Sequence, residues 1–159
     1  MNYLGDTDVQ SPLEEKYMRL ALEQARAAAL SGEVPVGCVI VHGDQIISSA
    51  ANRTIADCDP TAHAEMVALR AAAAAMRNHR LAGTTIYVPI EPCSMCAGAM
   101  IQARVDRLVY GADDPKGGAV RSCFAVFDHP HVNHRVTVTS GVLADDAAAL
   151  LRQFFEARR

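Results

Sequence analysis

The order of elements in this 159-residue chain predicts an α/β fold: a mixed central sheet covered by helices on both faces. Three observations carry that expectation. A capped, helix-periodic stretch stands first. Two short apolar runs around a turn sequence follow, which reads as a β-hairpin. After the hairpin, strand-like runs alternate with helical patterns, the arrangement that places helices on both sides of a sheet.

Residues 1–10, MNYLGDTDVQ, are polar and aperiodic and read as a flexible N-terminal tail. One domain is expected over 11–159, a length able to bury its own core. Ser11, Pro12 and Glu14 form a capping-box pattern with proline at the first helical position, and Gly32 closes the helix they open. VGCVIV and QIISSA flank His42-Gly43-Asp44, the hairpin. An irregular stretch holding Asn52 and Cys58 comes next. A second helix is expected from about Asp59-Pro60-Thr61 to Asn78, its alanine run reflecting strong helix propensity. TTIYVPI is a strand. CSMCAGAMIQAR is a third helix, introduced by Glu91-Pro92. VDRLVYG and RVTVTSG are further strands, the latter short, and ADDAAALLRQFFEARR is a C-terminal helix. Neither an internal repeat nor a linker is evident.

Half of the residues are hydrophobic (50%) and 21% are charged, a globular composition. No apolar run reaches membrane-spanning length, and the first ten residues lack a basic region followed by an apolar stretch. The expectation is a cytoplasmic protein without membrane attachment. Net charge is −3, so any nucleic-acid contact needs a local basic patch. The five cysteines, Cys38, Cys58, Cys93, Cys96 and Cys123, are odd in number. In a chain without an export signal that argues against a disulfide framework and for metal or redox chemistry at some of them.

Two helix starts carry ligand-type side chains: His63 on one, Cys93 and Cys96 on the other. Cysteines three apart in a first turn lie on one side, and the helix N-terminus favours thiolates. One nitrogen and two thiolates suit Zn²⁺. Three protein ligands leave a fourth tetrahedral position open, the mark of a catalytic zinc, and water there would ionise near pH 7. Glu65, two residues from His63, projects in another direction and is placed to shuttle that water's proton. The plainer readings are a redox Cys-x-x-Cys pair, a capping histidine, or a structural site closed by Cys58. The first lacks a thioredoxin-like context, and the last gives Glu65 no purpose.

HAE followed by PCSMC resembles the signature of the zinc-dependent cytidine/deoxycytidylate deaminase superfamily. The likeness extends through EVPVGCVIV, NRTIADCDPTAHAEMVALR, YVPIEPCSMCAGAMIQARVDRLVYGADDPKGGA, HPHVNHRV and LLRQFFEARR. Over most of residues 13–159 these blocks resemble the bacterial tRNA-specific adenosine deaminases. The resemblance implies a three-layer α/β/α cytidine-deaminase-like fold, a homodimer, and one zinc per chain held by His63, Cys93 and Cys96, with Glu65 as proton shuttle. It implies conversion of adenosine to inosine at the wobble position of a tRNA anticodon stem-loop, that of an arginine tRNA. Asn52 falls where the family has an asparagine touching the nucleoside, and Asp114 and Lys116 fall in a loop near the RNA. At Cys58 the family does not usually have cysteine.

Weaker features remain. His129, His131 and His134 invite a second metal site, but a polar surface loop is the preferred reading. Phe154 and Phe155 cannot point the same way. One is expected to pack the last helix, and an exposed one beside Arg158 and Arg159 could stack an anticodon base. Cys38, in an apolar strand, is expected to be buried and inert. Two rival functions share part of this pattern: a free-base deaminase acting on guanine or cytosine, and a noncatalytic zinc or RNA-binding module. Arg53, Lys116, Arg135 and the basic-aromatic tail favour RNA over a free base, and Glu65 argues against a noncatalytic role.

Overall fold

The computed structural model describes residues 11–159, so the expected tail over 1–10 lies outside the described residues. The elements are α1 (Pro12–Leu30), β1 (Gly37–His42), β2 (Gln45–Ala51), α2 (Ala64–Met76), β3 (Thr84–Ile90), α3 (Ser94–Gln102), β4 (Arg107–Ala112), a 3₁₀ turn (Val126–Asp128), β5 (Thr137–Thr139) and α4 (Ala144–Glu156). The five strands form a sheet in the order β2-β1-β3-β4-β5. The β1–β2 and β1–β3 pairs are antiparallel, whereas β3–β4 and β4–β5 are parallel. The mixed sheet expected from the sequence is present.

Strand alternation sorts the core into two layers. Cys38, Ile40, Ile86, Val88, Leu108 and Tyr110 face α2 and α3, meeting Ala68, Leu69, Ala72, Met100 and Ile101. Val39, Val41, Tyr87 and Val109 face the other way, against Tyr17, Met18, Ala21 and Leu22 of α1 and Ala147 of α4. The three-layer α/β/α arrangement follows. Gly37 marks a close contact between layers: a Cβ there would lie 2.2 Å from the Ala21 carbonyl oxygen and 2.5 Å from Ala25 N. Any side chain at this position would push α1 off the sheet.

Local chemistry adjusts several expected boundaries. The Ser11 side chain accepts from Glu14 N at 3.2 Å, as a cap should. The Glu14 carboxylate accepts from the Arg107 guanidinium. Helix α2 begins at Ala64 rather than near Asp59. The Asp59 carboxylate accepts from Thr61 N at 2.8 Å and Thr61 Oγ1 at 2.7 Å, a turn that competes with helix. Arg77, in the left-handed region at φ 51°, ends α2. Helix α3 stops at Gln102 because Arg104 turns left-handed (φ 60°) and Val105 N reaches back to Met100 O at 3.1 Å. That turn also delays β4 to Arg107. Helix α4 ends at Glu156, leaving Arg158 and Arg159 beyond it.

Candidate metal centre and active-site pocket

The sheet delivers four chain segments to one end. Because β1 runs antiparallel to β3, the residues before β1 (Val34, Val36) and after β2 (Asn52, Thr54) meet those at the end of β3 (Ile90, Glu91) and after β4 (Asp114). All of them line one pocket of about 280 Å³, with His63, Glu65 and Cys93. This is the carboxyl end of the parallel strands, where open α/β sheets bind ligands. The starts of α2 and α3 complete it.

His63 and Cys93 are the N-caps of these helices, both in extended backbone and neither using its side chain as a cap. Their side chains are thereby free for another role. His63 Nδ1 lies 3.6 Å from Cys93 Sγ and 3.6 Å from Cys96 Sγ. Ligands at tetrahedral zinc, with sulfur at about 2.3 Å and nitrogen at about 2.05 Å, stand roughly 3.6 Å apart. The spacing therefore fits a metal between them. Among the described residues these three are the one group of at least three His, Cys, Asp or Glu side chains able to hold a metal ion. The set fits one Zn²⁺ per chain. The protonation pattern agrees. A hydrogen bond from Cys96 draws the Cys93 thiol down to about 4 against the opposing effect of its burial, with His63 assisting. The same pairing raises Cys96. Two thiols forced to share a proton in this way are both relieved by a divalent cation, which deprotonates its thiol ligands outright.

Glu65 is 3% exposed, and its Oε1 has no hydrogen-bond partner. Burial holds its carboxyl above the ordinary range, opposed in part by hydrogen bonding from its own backbone and from Cys96. A buried acceptor without a partner is costly, and here it borders the pocket beside the metal-ligand set. It is not one of that set. Two residues from the N-cap, it lines the same pocket as His63, so one helix start supplies both a candidate ligand and a separate acid.

The remaining sequence-identified residues divide. Asn52, 6% exposed, and Asp114 line the pocket. Lys116 is exposed nearby on the loop after β4, its N–H donating to Asp114 Oδ1 at 3.0 Å. Phe154 and Arg158 lie elsewhere: with Arg26, Leu30, Leu150 and others they line a separate groove between α1 and α4. Phe154 is buried, with the Arg158 guanidinium 3.5 Å above its ring, and Phe155 is the more exposed of the two at 49%. Cys58 is exposed, at φ 48°, its thiol directed to Ile55 O at 3.8 Å, so it does not close the metal site. Cys38 is fully buried, and burial raises its thiol pKa well above the ordinary value. His134 Nε2 is 2.7 Å from Val105 O, while the His129 and His131 rings stand 5.5 Å apart without forming a metal cluster. Cys123 donates to Pro115 O at 3.1 Å.

Two buried acids escaped the sequence reading. Glu33 accepts from Thr54 Oγ1 (3.1 Å), Ile55 N (2.9 Å) and Ala56 N (2.8 Å), tying down the loop after Asn52. Glu91 accepts from Asp114 N, Val120 N, Arg121 N, Ser122 N and Ser122 Oγ, tying down the opposite loop. Against the cost of burial, these bonds hold the Glu91 carboxyl at about 2. The available signal was position: each glutamate directly precedes a short apolar or proline-containing segment that opens a pocket-lining element.

Known proteins resemble this chain closely. Residues 11–112 match the family described as the cytidine and deoxycytidylate deaminase zinc-binding region. A tRNA-specific adenosine deaminase of Haemophilus influenzae is 49% identical over 152 residues, 95% of this chain and 88% of that protein. One of Bacillus subtilis is 40% identical over 146 residues, 92% of this chain and 91% of that protein. A solved structure from a study of A-to-I editing by tRNA:A34 deaminases at the wobble position superposes with a TM-score of 0.84 at 45% identity, covering 86% of this chain and 99% of that one. The guanine deaminase of Nitrosomonas europaea superposes with a TM-score of 0.73 at 30% identity, covering 91% of this chain and 84% of that one.

Proposed function

The chain belongs to the zinc-binding cytidine and deoxycytidylate deaminase family, among its tRNA-specific adenosine deaminases, and from that membership we propose that it hydrolyses the wobble adenosine of a tRNA anticodon to inosine and releases ammonia. An arginine tRNA is the proposed substrate. We assign residues 11–159 to one deaminase domain, His63, Cys93 and Cys96 to the zinc, and Glu65 to the proton transfers. The observation that carries this reading is the unpartnered Oε1 of buried Glu65, which borders the same pocket as the ligand set.

Bound zinc supplies Lewis acidity that makes water a nucleophile at neutral pH. The remaining work falls to side chains. The new C–O bond forms at C6 of adenine and the C6–N bond to the amine breaks. Glu65 takes a proton from the attacking water, gives one to ring N1, and later helps protonate the departing amine as ammonia. Asn52, at the pocket wall, holds the nucleoside. The Asp114–Lys116 loop borders the RNA, and Lys116 meets phosphate. The adenosine must leave its stack to reach this depth, which costs least in a single-stranded loop. Arg158, held over the buried ring of Phe154, serves RNA outside the pocket, with Phe155 the more exposed aromatic face.

A homodimer and a cytoplasmic setting belong to the same proposal. Partly buried apolar residues of α3, Met95 and Ala99, are the candidate contacts for the second copy. Among the described residues, no helix is long and apolar enough to cross a membrane. The test measures ammonia and inosine from an arginine-tRNA anticodon stem-loop against free guanine and free cytosine. Turnover of the RNA alone is the expected result, and turnover of a free base alone overturns the reading. Sedimentation as a monomer at micromolar concentration would count against the dimer.

A further inference from the structure

We propose that Glu91 is a positioning residue for the substrate: its buried carboxylate fixes residues 114–122 as one lip of the pocket, in register with the start of α3. The inference rests on the deaminase reading for its kinetics and on geometry for its structural half.

The backbone of Glu91 continues the sheet, with its N–H donating to Ala112 O at 2.9 Å. Its side chain then serves a different segment altogether. Oε1 accepts from Val120 N (3.2 Å), Arg121 N (2.7 Å) and Ser122 N (2.9 Å); Oε2 accepts from Asp114 N (2.9 Å) and the Ser122 hydroxyl. Every one of these donors belongs to the loop after β4. A carboxylate that is 2% exposed needs such compensation, and here it comes from loop donors rather than from a basic side chain.

Gly118 shows how tightly the loop is wrapped. A Cβ on it would lie 2.1 Å from Glu91 Oε2 and 2.3 Å from its carboxyl carbon. The loop is also tied to the residue after Glu91, since Ala119 N donates to Pro92 O at 2.9 Å. Cys93 follows immediately. One short segment, Glu91-Pro92-Cys93, therefore anchors the lip and carries a candidate zinc ligand. Asp114, the lip residue that lines the pocket, receives its backbone position from Oε2. Both carboxylate oxygens are committed to the loop, so Glu91 acts through the lip and does not handle protons.

Negative charge on both oxygens is required by this geometry. A glutamine can accept at one end only, and its NH₂ would face N–H or O–H donors at the other. The test uses the full-length zinc-loaded protein carrying Glu91→Gln, with Ser122→Ala as a milder variant that removes a single donor. Amide hydrogen exchange at Val120, Arg121 and Ser122 should accelerate about 10-fold or more in Glu91→Gln, and less in Ser122→Ala. Zinc content should stay at one per chain. On the anticodon stem-loop, kcat should fall about 10²-fold with little change in KM, as expected when bound substrate is misplaced by about 1 Å. Unchanged exchange over residues 114–122 overturns the proposal, as does unchanged kcat in Glu91→Gln. Uniformly faster exchange along the chain with zinc lost in Glu91→Gln, together with a silent Ser122→Ala, also overturns it. If the unaltered protein forms no inosine on the stem-loop, the tRNA reading fails, while the exchange data still decide whether Glu91 holds the lip.

Discussion

Replacing Glu65 by glutamine removes a proton carrier at nearly constant volume, and the pocket offers no substitute. Its other carboxylates are engaged. Both oxygens of Glu91 accept from loop donors, and its carboxyl is held at about 2. Asp114 accepts from Lys116 N. Loss of one general acid–base group typically costs about 10²–10⁴-fold. Glu65 is assigned several transfers, so the expected loss lies at or beyond about 10⁴-fold, equivalent to about 5.4 kcal/mol of transition-state stabilisation. Folding should be kept, because Oε1 has no hydrogen-bond partner, the glutamine carbonyl can still accept at the other position, and a neutral amide is cheaper to bury than a charge. The assay follows inosine at the wobble position under single-turnover conditions, with zinc content and tRNA affinity measured on the same variant. Near-normal turnover with zinc intact would refute the shuttle role and the account of why a ligand and an acid stand two residues apart on α2.

Three other perturbations test separate parts of the argument. Cys93→Ser and Cys96→Ser should each lose zinc on metal analysis, whereas Cys58→Ser should keep it, because Cys58 is exposed and outside the ligand set. Neutralising Lys116, Arg158 and Arg159 together should weaken tRNA binding and flatten its logarithmic salt dependence by up to about 2, at about 0.7 per phosphate contact on a single strand; an unchanged slope would show that these side chains do not meet phosphate. Gly37→Ala should destabilise by about 1–3 kcal/mol through overpacking against α1, lowering the melting temperature by at least about 2 °C in a chain of this size; an unchanged melt would mean that α1 yields without cost.

The fold was legible because its elements announce themselves locally. Ser11-Pro12 opens α1, Gly43 turns the hairpin, and period-two alternation in β1, β3 and β4 sends side chains to two helical layers. What the sequence misplaced were ends. Asp59 captures Thr61 and postpones α2, and Arg104 adopts a left-handed conformation usually reserved for glycine. The Asp59 turn is local, a side-chain bond that competes with the helix, whereas Arg104 does not signal its conformation without its neighbours in space. Glu14 has a distant partner, Arg107, ninety-three positions away in the chain, and no local pattern reports it.

The candidate site was legible to a different depth. Zinc-type ligands have rigid demands of spacing and element type, so His63, Cys93 and Cys96 stand out in a sequence that is otherwise ordinary there. A residue that works chiefly by accepting backbone N–H groups leaves no such trace, since most of its partners are main-chain groups. Of the five hydrogen bonds Glu91 accepts, four come from backbone amides, and two of the three at Glu33 do. The sequence shows only a glutamate beside Pro92 and another beside Val34. Yet these two acids bond directly to Thr54 and Asp114, two residues that line the pocket. The chemistry of the centre is thus written in side-chain identity, while the shape of the space that a substrate must fit is written in main-chain contacts, which only the folded chain reveals. Chains of similar fold can therefore differ in substrate, as a tRNA-specific adenosine deaminase and a guanine deaminase that both resemble this one do.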